Sequence, residues 1–369
     1  MIGKDKTKIN RTILYYPTIA LPEGSWLKQA LLYWDELASI VPLKYDYETD
    51  KTKPVIPYSP DIEYLFDKNV FRPIPPDNFL KLENHFEKHD EFFEEIKIIV
   101  KSESFKKLVP KNKKRFYNSK IHHDKVSNRL FDWLQRNGLA KKWEGEGEWY
   151  RFENNTGLLY MALLAKYLAD IDINHTMPGT NLNIYEGLVF KSPSLNEGFS
   201  CLDVKFKNSL PIPREDVSIA DILDFKENNK NRMALLNFRS SLDQFHRDLS
   251  DSENKNIVNQ VLAGFKENIE LGVSELTELM KESGIETATG CLKTIVNVKS
   301  PTLWGTAGLV ADQATKIADL PLEWTIPGLT LVGAIEVGHY LVSEFNKKRA
   351  ALRGSEFSYL YHAQEWGII

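Results

Sequence analysis

Cysteine is scarce in this chain. Its 369 residues include only two, Cys201 and Cys291, which lie 90 positions apart. Two widely separated thiols form neither a disulfide framework nor the ligand spacing of a zinc site. Both are interpreted as buried thiols, because cysteine behaves as a small hydrophobic residue when it is not reactive. The scarcity favours a reducing compartment, and the predicted location is the cytoplasm.

Long apolar segments are also missing. Residues Met1 to Arg11 are polar and rich in lysine, unlike a secretory signal. The best membrane candidate is Ile326 to Glu344, but it contains Pro327 and Glu336. One charge at the centre of a spanning helix costs about 2.5–3.5 kcal/mol. The segment is therefore predicted to be a buried helix, with a membrane hairpin as the alternative, and no membrane partner is expected.

The glycine-rich signatures of several enzyme classes are absent. The chain has no Gly-x-x-x-x-Gly-Lys-Ser/Thr, no Gly-x-Gly-x-x-Gly and no Gly-x-Ser-x-Gly. The formal net charge of −4 gives no global attraction to nucleic acid. The sequence therefore gives no support to nucleotide hydrolysis or serine hydrolase chemistry. No cofactor and no metal are predicted.

Hydrophobic patterns predict an α+β fold in two parts. Residues 1–212 are a mixed α/β region that opens with a strand at Thr12 to Tyr16, a helix at Trp26 to Ile40 and a strand from Leu43. The apolar run Gly157 to Ala169 indicates a central buried helix. Further strands are predicted at 182–191 and 201–207.

Residues 213–369 are predicted to be all-helical. A Ser-x-x-Asp capping box begins at Ser218. Apolar residues then repeat at steps of three and four, first up to Leu249 and again from Ile257 to Met280. Two long helices with a short connection form an antiparallel hairpin, which is predicted for Ser218 to Ser283.

The segment Lys97 to Arg129 is basic, with eleven Lys and Arg against two acids, or about +9. A helical pattern up to Leu134 ends at Gly138, and two short runs around a glycine-rich tip then predict a β-hairpin. This helix and hairpin, near 101–153, resemble the recognition helix and wing of a winged-helix domain. The candidate nucleic-acid contacts are Lys113, Lys114, Arg115, Lys120, Lys125 and Arg129. A solvated basic face is the alternative, and it is favoured.

Histidines suggest two weaker sites. His85 and His89 are four residues apart, which is a spacing that metal ligands use on one helix face, but no third histidine is placed with them. His122 and His123 precede Asp124 at a predicted helix start. A metal site is the disfavoured alternative for the first pair. For His122 and His123 a catalytic role is the alternative, and capping and surface roles are favoured.

Polar and turn-forming residues follow the apolar helix. They form a candidate pocket of Asp170, Asp172, His175, Thr180 and Asn181. Binding residues often lie in such loops. The favoured interpretation is a loop that directs the chain to the next strand.

Several motifs together resemble an uncharacterised bacterial family with a domain of unknown function. The resemblance spans nearly the whole chain, and the motifs are Tyr15-Tyr-Pro17, Trp26-Leu-Lys28, Leu31-Leu-Tyr-Trp-Asp35, Thr156-Gly-Leu-Leu-Tyr-Met161, Leu164-Ala-Lys-Tyr-Leu-Ala-Asp170, Leu236-Asn-Phe-Arg239 and Phe357-Ser-Tyr-Leu-Tyr361. It implies a bacterial cytoplasmic protein and supplies no catalytic residues.

Three functional hypotheses follow. The leading one is an intracellular accessory protein, with phage defence as the suggested setting, that binds a protein partner or itself through its helical C-terminal half. The second is nucleic-acid binding through the basic 97–129 segment. The third is an enzyme with an unrecognised site near 170–181.

Overall fold

The structure is a computed structural model. It describes residues 11–46, 51–55, 59–80, 85–101, 105–106, 117–143, 148–172, 174–181, 200–251, 255–298 and 330–337. The chain divides into two compact units. Unit 1 takes residues 1–21, 34–193 and 321–327, and unit 2 takes residues 22–33, 194–320 and 328–369.

Both helices and strands occur in the described residues between 11 and 181. They are β1 (Arg11–Tyr15), α1 (Ser25–Tyr33), β2 (Glu36–Ile40), β3 (Leu43–Asp46), β4 (Lys51–Pro54), α2 (Pro60–Asp67), β5 (Phe71–Ile74), α3 (Asp77–Leu80), α4 (Phe86–Lys101), β6 (Ser119–His122), α5 (Asn128–Arg136), β7 (Ala140–Lys142), β8 (Trp149–Phe152), α6 (Asn154–Ile171) and β9 (His175–Gly179). The remaining described elements are β10 (Ser200–Pro213), α7 (Ile219–Glu227), α8 (Asn229–Ser250), α9 (Lys255–Glu282), β11 (Thr287–Val298) and β12 (Thr330–Val337). The mixed N-terminal half is confirmed.

A parallel four-stranded sheet in unit 1 has the order β5-β2-β1-β9. The helix predicted for Trp26 to Ile40 is half wrong, because α1 ends at Tyr33 and Glu36–Ile40 is strand β2. Leu37, Ala38 and Ile40 are fully buried. A short apolar run that is buried on both faces has no period that separates strand from helix, which explains the error.

Strand β9 also corrects the sequence interpretation. The sequence favours a loop from His175, but this segment is a strand that pairs in parallel with β1, with His175 opposite Arg11 and Gly179 opposite Tyr15. Pro178 lies within this strand at the edge of the sheet. Edge strands tolerate proline, because its missing N–H is not needed on the outer side.

A second sheet in unit 1 has the order β6-β8-β7 and is antiparallel. The predicted hairpin is confirmed as β7 and β8, and the predicted helix before it is α5. Strand β6 was missed by the sequence analysis. A short 3-10 turn, His123–Lys125, connects β6 to the cap of α5.

The core of unit 1 lies around α4 and α6. Phe92, Leu130, Phe152 and Leu163 are among its fully buried side chains. The central buried helix predicted at 157–169 is confirmed within α6. Gly157 of α6 lies against β6 so closely that an added Cβ would meet the Ser119 side chain at 2.1 Å.

Unit 2 is helical with an added sheet. The helical C-terminal region is confirmed, but strands β11 and β12 flank β10 within it, so residues 213–369 are not all helix. The helix predicted for Ile326 to Glu344 is wrong at Thr330–Val337, which is strand β12. β12 pairs in parallel with β10, which includes the strand predicted at 201–207. The strand predicted at 182–191 lies outside the described residues.

Helices α8 and α9 lie side by side and antiparallel. The Phe245 and Phe265 rings stack at a centroid distance of 3.8 Å. Lys230 at the start of α8 forms a salt bridge of 2.9 Å with Glu282 at the end of α9. The capping box at Ser218 is confirmed at the start of α7. Within the described part of the chain, no helix has the length and apolar character needed to cross a membrane.

Candidate functional site

Three cationic side chains form a row across the β6-β8-β7 sheet. Lys120 of β6 is opposite Arg151 of β8, and Arg151 is opposite Lys141 of β7. Side chains that are opposite one another on neighbouring strands point to the same face of a sheet. Lys120 and Lys141 are exposed, and Arg151 is half-buried. We call these three residues the cationic row.

Aromatic rings position the cationic row. The Lys120 Nζ lies 3.8 Å from the centroid of the Trp143 ring, and the Arg151 guanidinium carbon lies 3.7 Å from the same centroid. The Lys141 Nζ lies 4.6 Å from the Tyr117 ring centroid. Each cation–π contact contributes about 0.5–1 kcal/mol at an exposed site. The rings hold the side chains in place, and a ring carries no charge that could neutralise them.

The part of the chain that the structure describes adds no carboxylate to the cationic row. Among the described residues, none of Lys120, Lys141 and Arg151 forms a salt bridge, and the Arg151 Nε is buried without a hydrogen-bond partner. Like charges directly opposite one another on neighbouring strands destabilise a sheet. A bound anion would remove this repulsion, so the geometry suits a ligand with repeated negative charges.

The other predicted basic contacts are placed differently. Lys125 is buried, with 4% of its surface exposed, so it cannot contact phosphate in this structure. Arg129 forms a salt bridge of 2.5 Å with Asp90 and lies over the Phe93 ring. Of the six predicted contacts, only Lys120 belongs to the cationic row. The remaining three, Lys113, Lys114 and Arg115, lie outside the described residues.

Sequence analysis missed Lys141 and Arg151. Both lie in the hairpin that was predicted, where their alternation with inward-facing Ala140 and Phe152 was a usable signal. What the sequence did not show was β6, since four residues of mixed character have no clear period. Without β6, nothing aligned Lys120 with the hairpin.

A histidine cluster occupies the end of β6 and the turn after it. His122 Nδ1 lies 3.6 Å from Asp124 Oδ2, and His123 Nδ1 lies 3.2 Å from Asp124 Oδ1. On the other side of the first ring, His122 Nε2 lies 3.5 Å from Glu148 Oε2. The two imidazole rings stack at a centroid distance of 4.7 Å. His122 is buried, whereas the side chains of His123 and Glu148 are 42% and 75% exposed.

His122 also shapes the local backbone. Its Nδ1 accepts a hydrogen bond of 3.3 Å from the Asp124 N–H at the start of the 3-10 turn, so the predicted capping role is present. Burial is the main reason that the pKa of His122 is lowered, although the nearby carboxylates of Asp124 and Glu148 oppose it. The neutral imidazole is therefore favoured, and its Nδ1 lone pair is the one that accepts the Asp124 N–H.

The other histidine pair has no such arrangement. His89 is fully buried against the Phe79 ring, at a centroid distance of 5.7 Å, and among the described residues its two ring nitrogens have no hydrogen-bond partner. Burial lowers the pKa of His89. In the described residues, the cluster of three or more potential metal ligands within 4.8 Å is His122, His123 and Asp124, and it does not include His85.

The candidate pocket residues lie at two separate places. Asp172 follows α6, at the amino ends of the parallel strands. Arg72 donates to it at 2.5 Å, and Thr176 donates to it at 2.6 Å. Arg72 also donates to Glu36 at 2.8 Å, which makes a network. Although burial raises the pKa of Asp172, these hydrogen bonds bring it below its ordinary value. Hydrogen bonds donated to the ionised carboxylate stabilise the charged form of Asp172.

Thr180 and Asn181 lie at the opposite end of β9. A five-residue strand separates its end Cα atoms by about 13 Å, so these residues and Asp172 do not form one site. The Tyr15 hydroxyl donates to Asn181 Oδ1 at 2.8 Å. Asp170 is exposed on α6, and the side chain of His175 lies outside the described set. The third hypothesis, an enzyme site near 170–181, stays a prediction. Asp172 and the pair Thr180 and Asn181 lie at opposite ends of β9 and do not line one pocket.

A buried carboxylate between α4 and α6 was not found from the sequence. Glu95 is 3% exposed and accepts a hydrogen bond of 2.7 Å from the Tyr167 hydroxyl. Lys166 Nζ lies 3.4 Å from Glu95 Oε1. Burial raises the pKa of Glu95, against the opposing effect of Lys166 and Tyr167. The Tyr167 hydroxyl and the Lys166 ammonium group thus provide polar partners for the buried Glu95 carboxylate.

Comparison with known proteins identifies one region. Residues 196–365 match the model of DUF6236, a family of unknown function. The resemblance to a domain of unknown function is thus confirmed for the C-terminal part. The DUF6236 match includes Leu236–Arg239 and Phe357–Tyr361 but not the motifs at Tyr15 and Thr156. No curated protein and no solved structure matches the chain.

The DUF6236 match includes β10, helices α7 to α9 and strands β11 and β12. The cationic row and the histidine cluster lie before it in the chain.

Proposed function

We propose that this protein binds nucleic acid through phosphate contacts with Lys120, Arg151 and Lys141. The observation behind the proposal is the cationic row, whose three charges are aligned across three strands and held by aromatic rings instead of carboxylates. Phosphate contacts provide most of the affinity in non-specific nucleic-acid binding. A net charge of −4 does not oppose this, because the relevant field is local.

The order of elements supports the same proposal. Helix α4, strand β6, helix α5 and the β7–β8 hairpin follow one another, and β8 lies between β6 and β7. This order resembles a winged-helix-like unit and includes a first strand, with the 3-10 turn His123–Lys125 in place of the helix that precedes the recognition helix in such units. Polar residues are exposed on α5, among them Asn128, Gln135 and Arg136. Such side chains suit contacts with bases or phosphates.

Acids limit which part of this unit approaches a phosphate. Asp132 is exposed on α5, and Glu148 is exposed at the start of β8. Neither residue is at a position of the cationic row in the strand register. The proposal therefore assigns the main contact to the sheet face and not to the hairpin tip.

Fluorescence anisotropy with labelled nucleic acid tests the proposal. Duplex and single-stranded oligonucleotides of the same sequence are titrated with the full chain at low salt. The test variant is Lys120→Glu with Lys141→Glu. The matched control is Lys44→Glu with Lys68→Glu, which makes the same change of net charge at two other exposed lysines.

The proposal predicts binding that the test variant loses and the control retains. Equal binding by the two double variants would refute it, because the attraction would then depend on net charge alone. Absence of binding by the unmodified chain to both oligonucleotides at low salt would refute it as well. Comparison of the duplex with the single strand shows which form the surface prefers.

We propose association with a protein partner, or with a second copy, as the second candidate function. Met233 and Leu236 are 56% and 40% exposed and lie three residues apart on α8, which places them on one helix face. Exposed apolar residues that are grouped in this way are common at interaction sites. Sedimentation of the full chain and of a Met233→Lys, Leu236→Lys variant tests self-association. A monomer at high concentration in both would argue against a second copy.

A further inference from the structure

We infer that His122, His123 and Asp124 bind a divalent transition metal of the zinc class. The inference is independent of the proposed function, because these side chains are not those of the cationic row. Two imidazoles and one carboxylate are among the ligands that Zn²⁺ prefers, and three protein ligands leave a fourth position for water. Carboxylates also supply the negative charge that a divalent ion requires.

Distances within the cluster fit this coordination. Zn²⁺ binds nitrogen and carboxylate oxygen at about 2.0–2.2 Å, so two ligand atoms in a tetrahedral site lie about 3.4 Å apart. The His122 Nδ1 lies 3.6 Å from Asp124 Oδ2, and the His123 Nδ1 lies 3.2 Å from the other oxygen of the same carboxylate, Oδ1. All three ligand atoms lie within 4.8 Å of one another.

Glu148 supplies the outer partner that such a site needs. Histidine ligands commonly donate their second ring N–H to a carboxylate, which fixes the tautomer and strengthens the ligand. With Nδ1 of His122 on the metal, its Nε2 carries the proton, and Glu148 Oε2 lies 3.5 Å from that atom. The fixed backbone supports this arrangement, because the His123 N–H donates to the Glu148 carbonyl oxygen at 2.8 Å.

The free protein already uses the His122 atom that would bind the ion. The Nδ1 lone pair that would bind the ion now accepts the Asp124 N–H at 3.3 Å. That hydrogen bond is long, so its replacement by a metal–nitrogen bond sacrifices little.

Cobalt substitution tests the inference with a spectroscopic readout. The untagged, chelator-treated full chain is titrated with Co²⁺, whose visible absorption is intense in tetrahedral sites and weak in octahedral ones. Zn²⁺ affinity is measured by calorimetry on the same preparation. The variants are His123→Ala, Asp124→Asn and Glu148→Gln, and the control is His85→Ala, which removes a half-buried histidine elsewhere.

We expect a tetrahedral Co²⁺ spectrum that Zn²⁺ abolishes. Glu148→Gln should weaken Zn²⁺ binding by about 10- to 100-fold, which is the usual effect of an outer partner, and the two ligand variants should weaken it more. His85→Ala should bind as the unmodified chain does. Unfolding curves measured in the presence of chelator show whether each variant folds. If His123→Ala does not fold, the metal affinity of Asp124→Asn provides the test.

Two results would overturn the inference. One is a Co²⁺ titration of the unmodified chain without tetrahedral absorption. The other is equal affinity of Asp124→Asn and His85→Ala, which would place any bound metal at other residues.

Discussion

Replacement of the buried Lys125 by methionine should stabilise the protein. Lys125 lies in the 3-10 turn before α5 and is 4% exposed. Burial lowers its pKa from the ordinary 10.5 to about 7. The Tyr160 hydroxyl donates to the backbone carbonyl oxygen of Lys125, so the substitution keeps that hydrogen bond. Methionine has a similar length and no charge, so it isolates the cost of burying the ammonium group.

The magnitude follows from the pKa. One pKa unit corresponds to about 1.4 kcal/mol, so the protonated amine destabilises the folded state by about 5 kcal/mol below pH 7. Between pH 7 and 10.5 the unfolded chain holds more protons than the folded chain, and stability of the unmodified protein therefore rises with pH. Lys125→Met should be more stable by about 4 kcal/mol at pH 7 and by about 2 kcal/mol at pH 9.

Hydrogen exchange measured at increasing urea concentrations gives the local unfolding free energy. Peptides from α5 and α6 report on the region around residue 125. Lys44→Met is the control, because Lys44 is exposed and its replacement should leave the free energy nearly unchanged. A variant that is less stable than the unmodified chain, or a difference that is the same at pH 7 and pH 9, would refute the reasoning.

Three further substitutions test other contacts, each measured by urea unfolding of the full chain. Gly157→Ala would place a Cβ 2.1 Å from Ser119 Oγ, so it should cost about 1–3 kcal/mol, and adding Ser119→Gly should restore most of the loss. Tyr167→Phe removes the 2.7 Å hydrogen bond to Glu95 and should cost about 1.5–3 kcal/mol; no loss would contradict the assigned bond. Asp172 has a lowered pKa, so its charge contributes stability that is present above about pH 4 and lost as pH falls further. Asp172→Asn should therefore remove part of the acid sensitivity, and an unchanged acid transition would count against this.

Periodic elements could be predicted from the sequence, and short ones could not. The helix within α6 was predicted because its long apolar run exceeds the length of a strand. The capping box at Ser218 is a local signal, since the side chain and the backbone that it contacts lie three residues apart. Both features depend on neighbours in the sequence, which is why they needed no tertiary information.

Strands β2, β9 and β12 were missed because their stability comes from distant partners. Each is a short segment in a parallel pair, and parallel pairing joins strands that lie far apart in the chain. Residues 330–337 also contain glycine and apolar residues that suit a buried helix as well as a strand. Parallel pairing has no local signature, so the sequence pattern alone cannot distinguish the two.

The candidate sites also combine features with a local sequence signal and features that depend on pairing between distant strands. The run of basic residues in the sequence includes Lys120, but only strand register shows that Lys120, Arg151 and Lys141 are neighbours. The histidine pair and Asp124 were visible in the sequence as adjacent residues. Glu148 was not associated with them, because the contact depends on pairing between β6 and β8.

The dependence of duplex affinity on salt tests the nucleic-acid proposal most directly. Each phosphate contact contributes about −0.9 to the slope of log affinity against log salt, so three contacts predict about −2.7 from the cationic row. Replacing Lys120, Lys141 and Arg151 by glutamine should make the slope less negative by about that amount. An unchanged slope in this triple variant would contradict the account.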